Sequence, residues 1–257
     1  MRLFDLRGKN VLVSGASRGI GAAIACGLAD SGAAVAVAAR SVEALGDLQK
    51  HISDAGGKAI VQELDVNAIG SIPDAVRQVE SRLGPVDILF NVAGTNIRKP
   101  IEEITEAEFD QITVTNYKGA YFLCQEVGRG MIERRRGKVV NIGSLTTGFG
   151  VPKISAYAGS KGAIGQLTKG LAAEWGRYNI QVNAIAPGFI VTDLNRKLWD
   201  DSEMRDWVHQ LTPAGRLGSP EDMVGTAIFL AAPASDFMSG QVLYVDGGIM
   251  ASIMWPL

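Results

Sequence analysis

The chain has 257 residues, 47% hydrophobic and 20% charged, with a formal net charge of −2. That composition supplies one large α/β core and lacks the basic surface a nucleic-acid partner would need. No run of about 18 apolar residues offers a membrane span, the first residues carry no signal-peptide core, and Cys26, Cys124, His51 and His209 fit neither a disulfide framework nor a zinc site, so a reducing cytoplasm is the expected setting.

In chain order, residues 11–13 predict a buried strand. Gly15, Gly19 and Gly21 form a turn, and residues 22–29 predict a helix. Strand, glycine turn and helix bring backbone N–H groups and the positive end of the helix dipole toward a phosphate. The spacing is Gly-x-x-x-Gly-x-Gly rather than the commoner Gly-x-Gly-x-x-Gly, so alone it also fits a tight turn without a ligand. A second strand follows at 34–38, and Ser41 caps a helix from Val42 to near Gly56. The third strand is 59–64, and the helix 73–83 stops at Gly84-Pro85. The fourth strand is 86–90. Thr105 caps a long helical region, bent around 117–119, that reaches Arg135 with Gly137 as its closing residue. Then come a strand at 138–142, a helix at 155–178, a strand at 180–185, a helix at 220–232 capped by Ser219, and a seventh strand at 241–245.

Strands alternating with helices predict a doubly wound α/β fold: a seven-stranded parallel sheet with helices on both faces and right-handed crossovers. No linker divides the chain, so residues 1–257 read as one domain. Residues 188–218 break the rhythm with weak helical pattern, and a long insertion there reads as a substrate lid. The run Glu133-Arg-Arg-Arg136 suits the negative end of a helix dipole.

Tyr157 and Lys161 lie four apart in a helical pattern, so their side chains share one face. A free phenol titrates near 10, too high for efficient proton transfer at neutral pH, and a nearby ammonium favours the phenolate. Ser144 ends the fifth strand, where a parallel sheet opens its ligand crevice, and is placed to hold a carbonyl or hydroxyl oxygen.

With Asp65, Asn91-Val-Ala-Gly94, Asn116 and Pro187-Gly188 added, the chain resembles the short-chain dehydrogenase/reductase family over nearly its whole length. The resemblance implies a Rossmann-like fold, NADP(H) or NAD(H) as cofactor, and a catalytic tetrad. In that tetrad Ser144 orients the substrate oxygen, Tyr157 transfers the proton, Lys161 also holds the nicotinamide ribose, and Asn116 helps place a relay water. It further implies a cofactor site built from Gly15, Ser17, Arg18, Gly19, Ile20, Gly21, Arg40, Asp65, Val66, Asn91, Ala93, Gly94, Tyr157, Lys161, Pro187, Gly188, Ile190 and Thr192. Within it Asp65 contacts the adenine, Asn91 and Gly94 line the adenosine and ribose side, and Ile190 with Thr192 holds the carboxamide. Two positions depart from the pattern: Ser14 replaces threonine and keeps the hydroxyl, and Val92 replaces an asparagine and loses polar groups.

Residues 95–100, 212–216 and 243–250 are similar to the gluconate 5-dehydrogenase and 2-deoxygluconate 3-dehydrogenase branch. The expectation is reversible oxidation of a secondary alcohol to a ketone on a sugar acid. The alternatives are a 3-oxoacyl-carrier-protein reductase or general ketone reductase, with Arg129 and Arg134 to Arg136 as a docking surface for an acidic carrier, or a non-catalytic nucleotide-binding regulator. No acid ends the second strand at Ala38-Ala39-Arg40-Ser41. Arg40 with Arg18 can clamp a 2′-phosphate, so NADP(H) is preferred. Arg98 is the candidate for a substrate carboxylate, beside Ser144 and Tyr157, with Lys153, Asn195 and Arg196 weaker candidates. The family implies a homotetramer with two-fold symmetry, and the apolar tail 249–257 is a candidate intersubunit segment.

Overall fold

The apolar run after Lys9 becomes β1, Asn10–Ser14, in a computed structural model that describes residues 2–193 and 195–252. The remaining strands are β2 Ala34–Ala39, β3 Lys58–Glu63, β4 Ile88–Asn91, β5 Gly137–Ile142, β6 Ile180–Pro187 and β7 Val242–Val245. They form one sheet in the order β3-β2-β1-β4-β5-β6-β7, parallel throughout.

Both faces are covered, which is why these strands read as continuous apolar runs instead of alternating ones. Side chains still alternate with period two. Val11, Val13, Val35, Val37, Ile88 and Phe90 enter a core under α1 (Gly19–Asp30), α2 (Val42–Asp54) and α8 (Val224–Ala231). Leu12, Ala36, Ala38, Leu89 and Val139 enter the opposite core, under α3 (Ile72–Leu83), α5 (Gly119–Arg134) and α6 (Ser155–Trp175). Phe90 is fully buried, and truncating such a ring to alanine typically costs about 3–5 kcal/mol.

The predicted bend at 117–119 is a π-turn, Val114–Lys118, joining α4 (Glu106–Thr113) to α5. Thr105 caps α4 in a reciprocal box with Glu108. Gly137 does not close α5. Arg135 takes the left-handed position, φ 52°, and Gly137 already belongs to β5. The chain must turn early because Arg136 N bonds Met131 O while its guanidinium pairs with Asp87 at the entry to β4.

The segment 188–218 is more regular than its sequence suggests. A short 3-10 helix, Arg196–Asp200, leads into α7, Ser202–Leu211, whose first amides from Glu203 and Met204 bond the Asp201 carboxylate. Among the described residues no helix is long and apolar enough to cross a membrane. Of the apolar tail, Ile249 is buried and Met250 N bonds Asp246 Oδ2. The remainder of the tail, 253–257, lies outside the described residues.

Candidate active site

The strand order reverses between β1 and β4, since β2 and β3 lie on one side and β5 to β7 on the other. Loops leaving the two carboxyl ends diverge there and open a crevice. The two loops meet almost backbone to backbone. Gly15 has φ +69°, and a Cβ on it would sit 2.6 Å from Ala93 N. Ser14 ties them together, its hydroxyl donating to Phe90 O at 3.3 Å and accepting from Val92 N at 3.2 Å. The hydroxyl retained at that position therefore has a structural use, and the Val92 side chain packs into the core below.

Arg18 is the N-cap of α1, with no side-chain cap and no acid in the first turn. The leading amides and the positive dipole end thus face the loop made by Ser17, Arg18 and Ile20. Ala16 N bonds Ala38 O at 3.1 Å, so the turn lies beside the end of β2, where Arg40 stands. Arg18 and Arg40 are both exposed. Leu64 N bonds Ala39 O, which brings Asp65 to the same edge. Asp65 Oδ1 accepts from Asn67 N at 3.0 Å. Val66 is buried under Gly119, whose added Cβ would lie 2.6 Å from Val66 O.

Asn91 and Ile190 have buried side chains. The Asn91 amide donates to Asn141 Oδ1 at 2.9 Å and Cys124 Sγ at 3.0 Å. Its side chain lies inside the sheet, so only its backbone reaches the crevice. Asn141 in turn bonds Thr168, and burial pushes the Cys124 thiol up to about 12. Ile190 is buried in the core, and its carbonyl accepts from Asn195 Nδ2 at 2.8 Å. That leaves Thr192 as the polar side chain there, with its methyl 3.4 Å from a Cβ position on Gly19. Pro187 ends β6, and Gly188 is held by Val245 O and packs on Asp246, whose Cα would be 2.7 Å from an added Cβ.

Asn116, Ser144, Tyr157 and Lys161 converge from three elements. The π-turn presents Asn116, which is almost completely buried. Its Oδ1 accepts from Thr95 N at 2.7 Å, and its amide donates to Thr95 O at 2.9 Å and Ser160 Oγ at 3.0 Å. Ser160 donates to Tyr157 O at 2.7 Å. Both amide hydrogens of Asn116 are therefore committed, and only the second lone pair of Oδ1 remains for a relay water. Lys161 Nζ donates to Ile142 O at 2.7 Å and lies 5.8 Å from the Tyr157 ring centroid. Thr147 bridges the Ser144 turn to α6, accepting from Ser144 N and donating to Lys161 O. Burial pushes the Tyr157 phenol above its ordinary value, with the Ser144 hydroxyl acting the other way, and burial pulls Lys161 down to about 8. A Cβ on Gly94 would lie 3.4 Å from Asn116 Oδ1 and 3.7 Å from Lys161 Nζ, so the loop after β4 closes on this group.

The substrate candidates separate. Arg98 is exposed on that loop, and Lys99 N bonds the carbonyl of Lys153, an exposed residue with φ 66°. Asn195 and Arg196 are engaged with near neighbours: Asn195 Oδ1 accepts from Thr192 N and Oγ1, and Arg196 pairs with Asp193 at the surface. The arginines suggested for an acidic carrier are likewise engaged within the chain. Arg129 pairs with Glu126, Arg134 donates to Val86 O, Arg135 donates to Arg177 O, and Arg136 pairs with Asp87. Sequence reasoning missed the aromatic group in the insertion, where Phe189 meets Trp199 and Trp207 edge-on at 5.9 and 5.7 Å.

A family model described as enoyl-(acyl carrier protein) reductase matches residues 15–250. Gluconate 5-dehydrogenase of Gluconobacter oxydans (strain 621H) is 44% identical over 251 residues, covering 98% of each chain. 5-Keto-D-gluconate 5-reductase of Escherichia coli (strain K12) is 38% identical, covering 98% of this chain and 99% of that one. The crystal structure of a gluconate 5-dehydrogenase from Burkholderia cenocepacia J2315 in complex with NADP and tartrate superposes with a TM-score of 0.95 at 40% identity, covering 98% of this chain and 99% of that one.

Proposed function

This chain belongs to the short-chain dehydrogenase/reductase family, and from that premise we propose that it is an NADP(H)-dependent oxidoreductase interconverting a secondary alcohol and a ketone on a sugar acid of the gluconate/keto-gluconate type. The observation that carries the chemistry is the convergence of Ser144, Tyr157, Lys161 and Asn116 beside an uncapped helix N-terminus. The observation that favours the phosphorylated cofactor is Arg18 and Arg40 at a strand end without an acid. Gly15 and Gly19 leave the room a pyrophosphate needs, and a Cβ at Gly15 would close the loop against Ala93.

When bound, NADP(H) supplies or accepts the hydride. The chain's residues handle the oxygen and its proton. In reduction the Tyr157 phenol donates to the carbonyl oxygen while Ser144 Oγ holds that oxygen in line; in oxidation the phenolate takes the proton back. Lys161 favours the phenolate by its charge and is fixed by Ile142 O. Asn116 bolts the loop after β4 to α6 through Thr95 and Ser160. Arg98 takes the carboxylate in a paired hydrogen bond.

Residues 188–218 act as the lid of a single domain, a reading supported by the internal packing of Phe189, Trp199 and Trp207. The working form is a cytoplasmic homotetramer. The exposed side chains Ile101, Phe109 and Tyr121 support association, and a monomer in light scattering at micromolar concentration refutes it. A 3-oxoacyl-carrier-protein reductase is disfavoured by the engagement of its docking arginines, and a non-catalytic regulator by the intact group of four. The deciding experiment is an NADPH-coupled screen of keto-gluconates, neutral ketoses, 3-oxoacyl thioesters and simple cyclic ketones. Keto-gluconates should win, and Arg98→Ala should raise KM for them far more than for a neutral ketone. Preference for thioesters or neutral ketones refutes the sugar-acid reading, and equal effects of Arg98→Ala remove that residue from the site.

A further inference from the structure

A buried acceptor with no hydrogen-bond partner is destabilising, and a partner supplied from outside the chain, a ligand among them, is one reason a fold retains it. Asn96 Oδ1 is such an atom. Its backbone has little freedom to carry the amide away. The N–H and C=O of Thr95 are both held by Asn116, and Lys99 N is held by Lys153 O. Two residues before it, Gly94 approaches Asn116 and Lys161. Asn96 therefore lies on the crevice loop, two residues after Gly94 and two before Arg98.

Other orphaned atoms have less claim on a ligand. Asn91 Oδ1 belongs to the network inside the sheet, Arg134 Nε lies at the amino edge of β4, and Trp199 Nε1 and Thr212 Oγ1 lie in or beside the insertion. Thr146 Oγ1 follows Ser144, but that residue is 8% exposed and its N–H is engaged by Ser144 Oγ. Asn96 keeps part of its surface open while the acceptor itself is covered.

We propose that Asn96 is a specificity-determining residue whose carboxamide hydrogen-bonds a hydroxyl of a polyhydroxylated substrate. The inference rests on the oxidoreductase reading above and deepens it. A carboxamide offers an acceptor and donors, and a hydroxyl offers both in return, so the pair is satisfied whichever way the amide is turned. A ketone without neighbouring hydroxyls leaves the group orphaned, and a site built this way discriminates strongly against the analogue that lacks the hydroxyl. Arg98 selects for the carboxylate and Asn96 for the polyol chain, two separable requirements.

The test measures kcat/KM of wild type, Asn96→Leu and Asn96→Ala for 5-keto-gluconate, a neutral ketohexose and cyclohexanone, with the thermal midpoint and the NADPH Kd of each variant. Wild type should favour the hydroxylated ketones over cyclohexanone. Both variants should lose roughly tenfold to a hundredfold on the hydroxylated ketones, mainly in KM, with cyclohexanone and NADPH binding changed less than twofold. The alanine variant carries the test if leucine does not fit. Equal losses on all three ketones, no loss on the hydroxylated ones, a tenfold weaker NADPH complex, or a wild type indifferent to hydroxyls each overturns the proposal. If wild type prefers the neutral ketohexose to 5-keto-gluconate, the sugar-acid reading fails while the Asn96 ratio is still read on the ketohexose.

Discussion

Lys161 is a buried ammonium whose ionisation burial pulls from 10.5 to about 8, and replacing it with methionine separates its chemistry from its effect on the fold. At about 1.36 kcal/mol per pKa unit, the displacement costs the cofactor-free fold roughly 3 kcal/mol at pH 7, where both states hold the proton. Between about 8 and 10.5 the unfolded chain holds more protons than the folded one, so stability rises with pH, and the cost shrinks to roughly 1 kcal/mol by pH 9.5. Methionine keeps the length and removes the charge. It also leaves Ile142 O without its donor, a loss of about 1–3 kcal/mol. The net expectation for Lys161→Met at pH 7 is a change between zero and a gain of roughly 2 kcal/mol. The sharper expectation is the slope: wild type should gain about 2 kcal/mol more than the variant between pH 7 and 9.5. Urea unfolding of the cofactor-free protein at both pH values, with equal m-values, reads this directly. A variant with the same pH dependence as wild type, or one less stable by more than about 2 kcal/mol at pH 7, would refute the reasoning.

Tyr157→Phe should abolish turnover by at least about a thousandfold while NADPH affinity stays within twofold in a fluorescence titration; residual activity near wild type rejects the assignment. Because burial pushes the phenol up, alcohol oxidation by wild type should rise with pH above 7, the phenolate being the reactive form, and a flat steady-state profile contradicts it. Arg40→Asp should lower kcat/KM for NADPH by roughly a hundredfold and raise it for NADH, since it replaces a charge-assisted phosphate contact with repulsion; an unchanged cofactor ratio removes Arg40 from the site. Gly15→Ala forces a side chain onto φ +69° and against Ala93, a combined loss of about 2–5 kcal/mol to be read as a lower thermal midpoint and weaker NADPH binding. Unchanged stability would mean the two loops do not meet as described.

The seven strands and the glycine turn were legible because a sheet covered on both faces writes each strand as a short apolar run. The pair Tyr157 and Lys161 was legible because four residues make about one helical turn. The π-turn at Val114–Lys118 left no comparable mark, since its polar residues carry no period, although a bend was expected within two residues of it. Helix α7 escaped because only a narrow stripe, Met204, Val208 and Leu211, with Trp207 against Phe189, meets the chain; Asp201 as cap was the signal available. The side-chain partner of Asn91, Asn141, lies fifty residues away on a neighbouring strand. No local pattern encodes that contact. The same distance hid the double use of Asn116, since nothing near it in sequence names Thr95 or Ser160.

The reversal of strand order divides the molecule into two independently adjustable halves. Arg40 leaves the end of β2 and Arg98 the loop after β4, with β1 between them. The carboxyl ends of β2 and β4 lie two inter-strand spacings, roughly 10 Å, apart, near the separation at which substitutions become additive, and Arg98 stands seven residues beyond its strand. With the roles proposed for Arg40 and Arg98, preference between dinucleotides and preference between carbonyl compounds can drift, or be engineered, as nearly additive traits. A descendant could exchange one without renegotiating the other, provided Gly15 and Ala93, where the two halves touch, stay as they are.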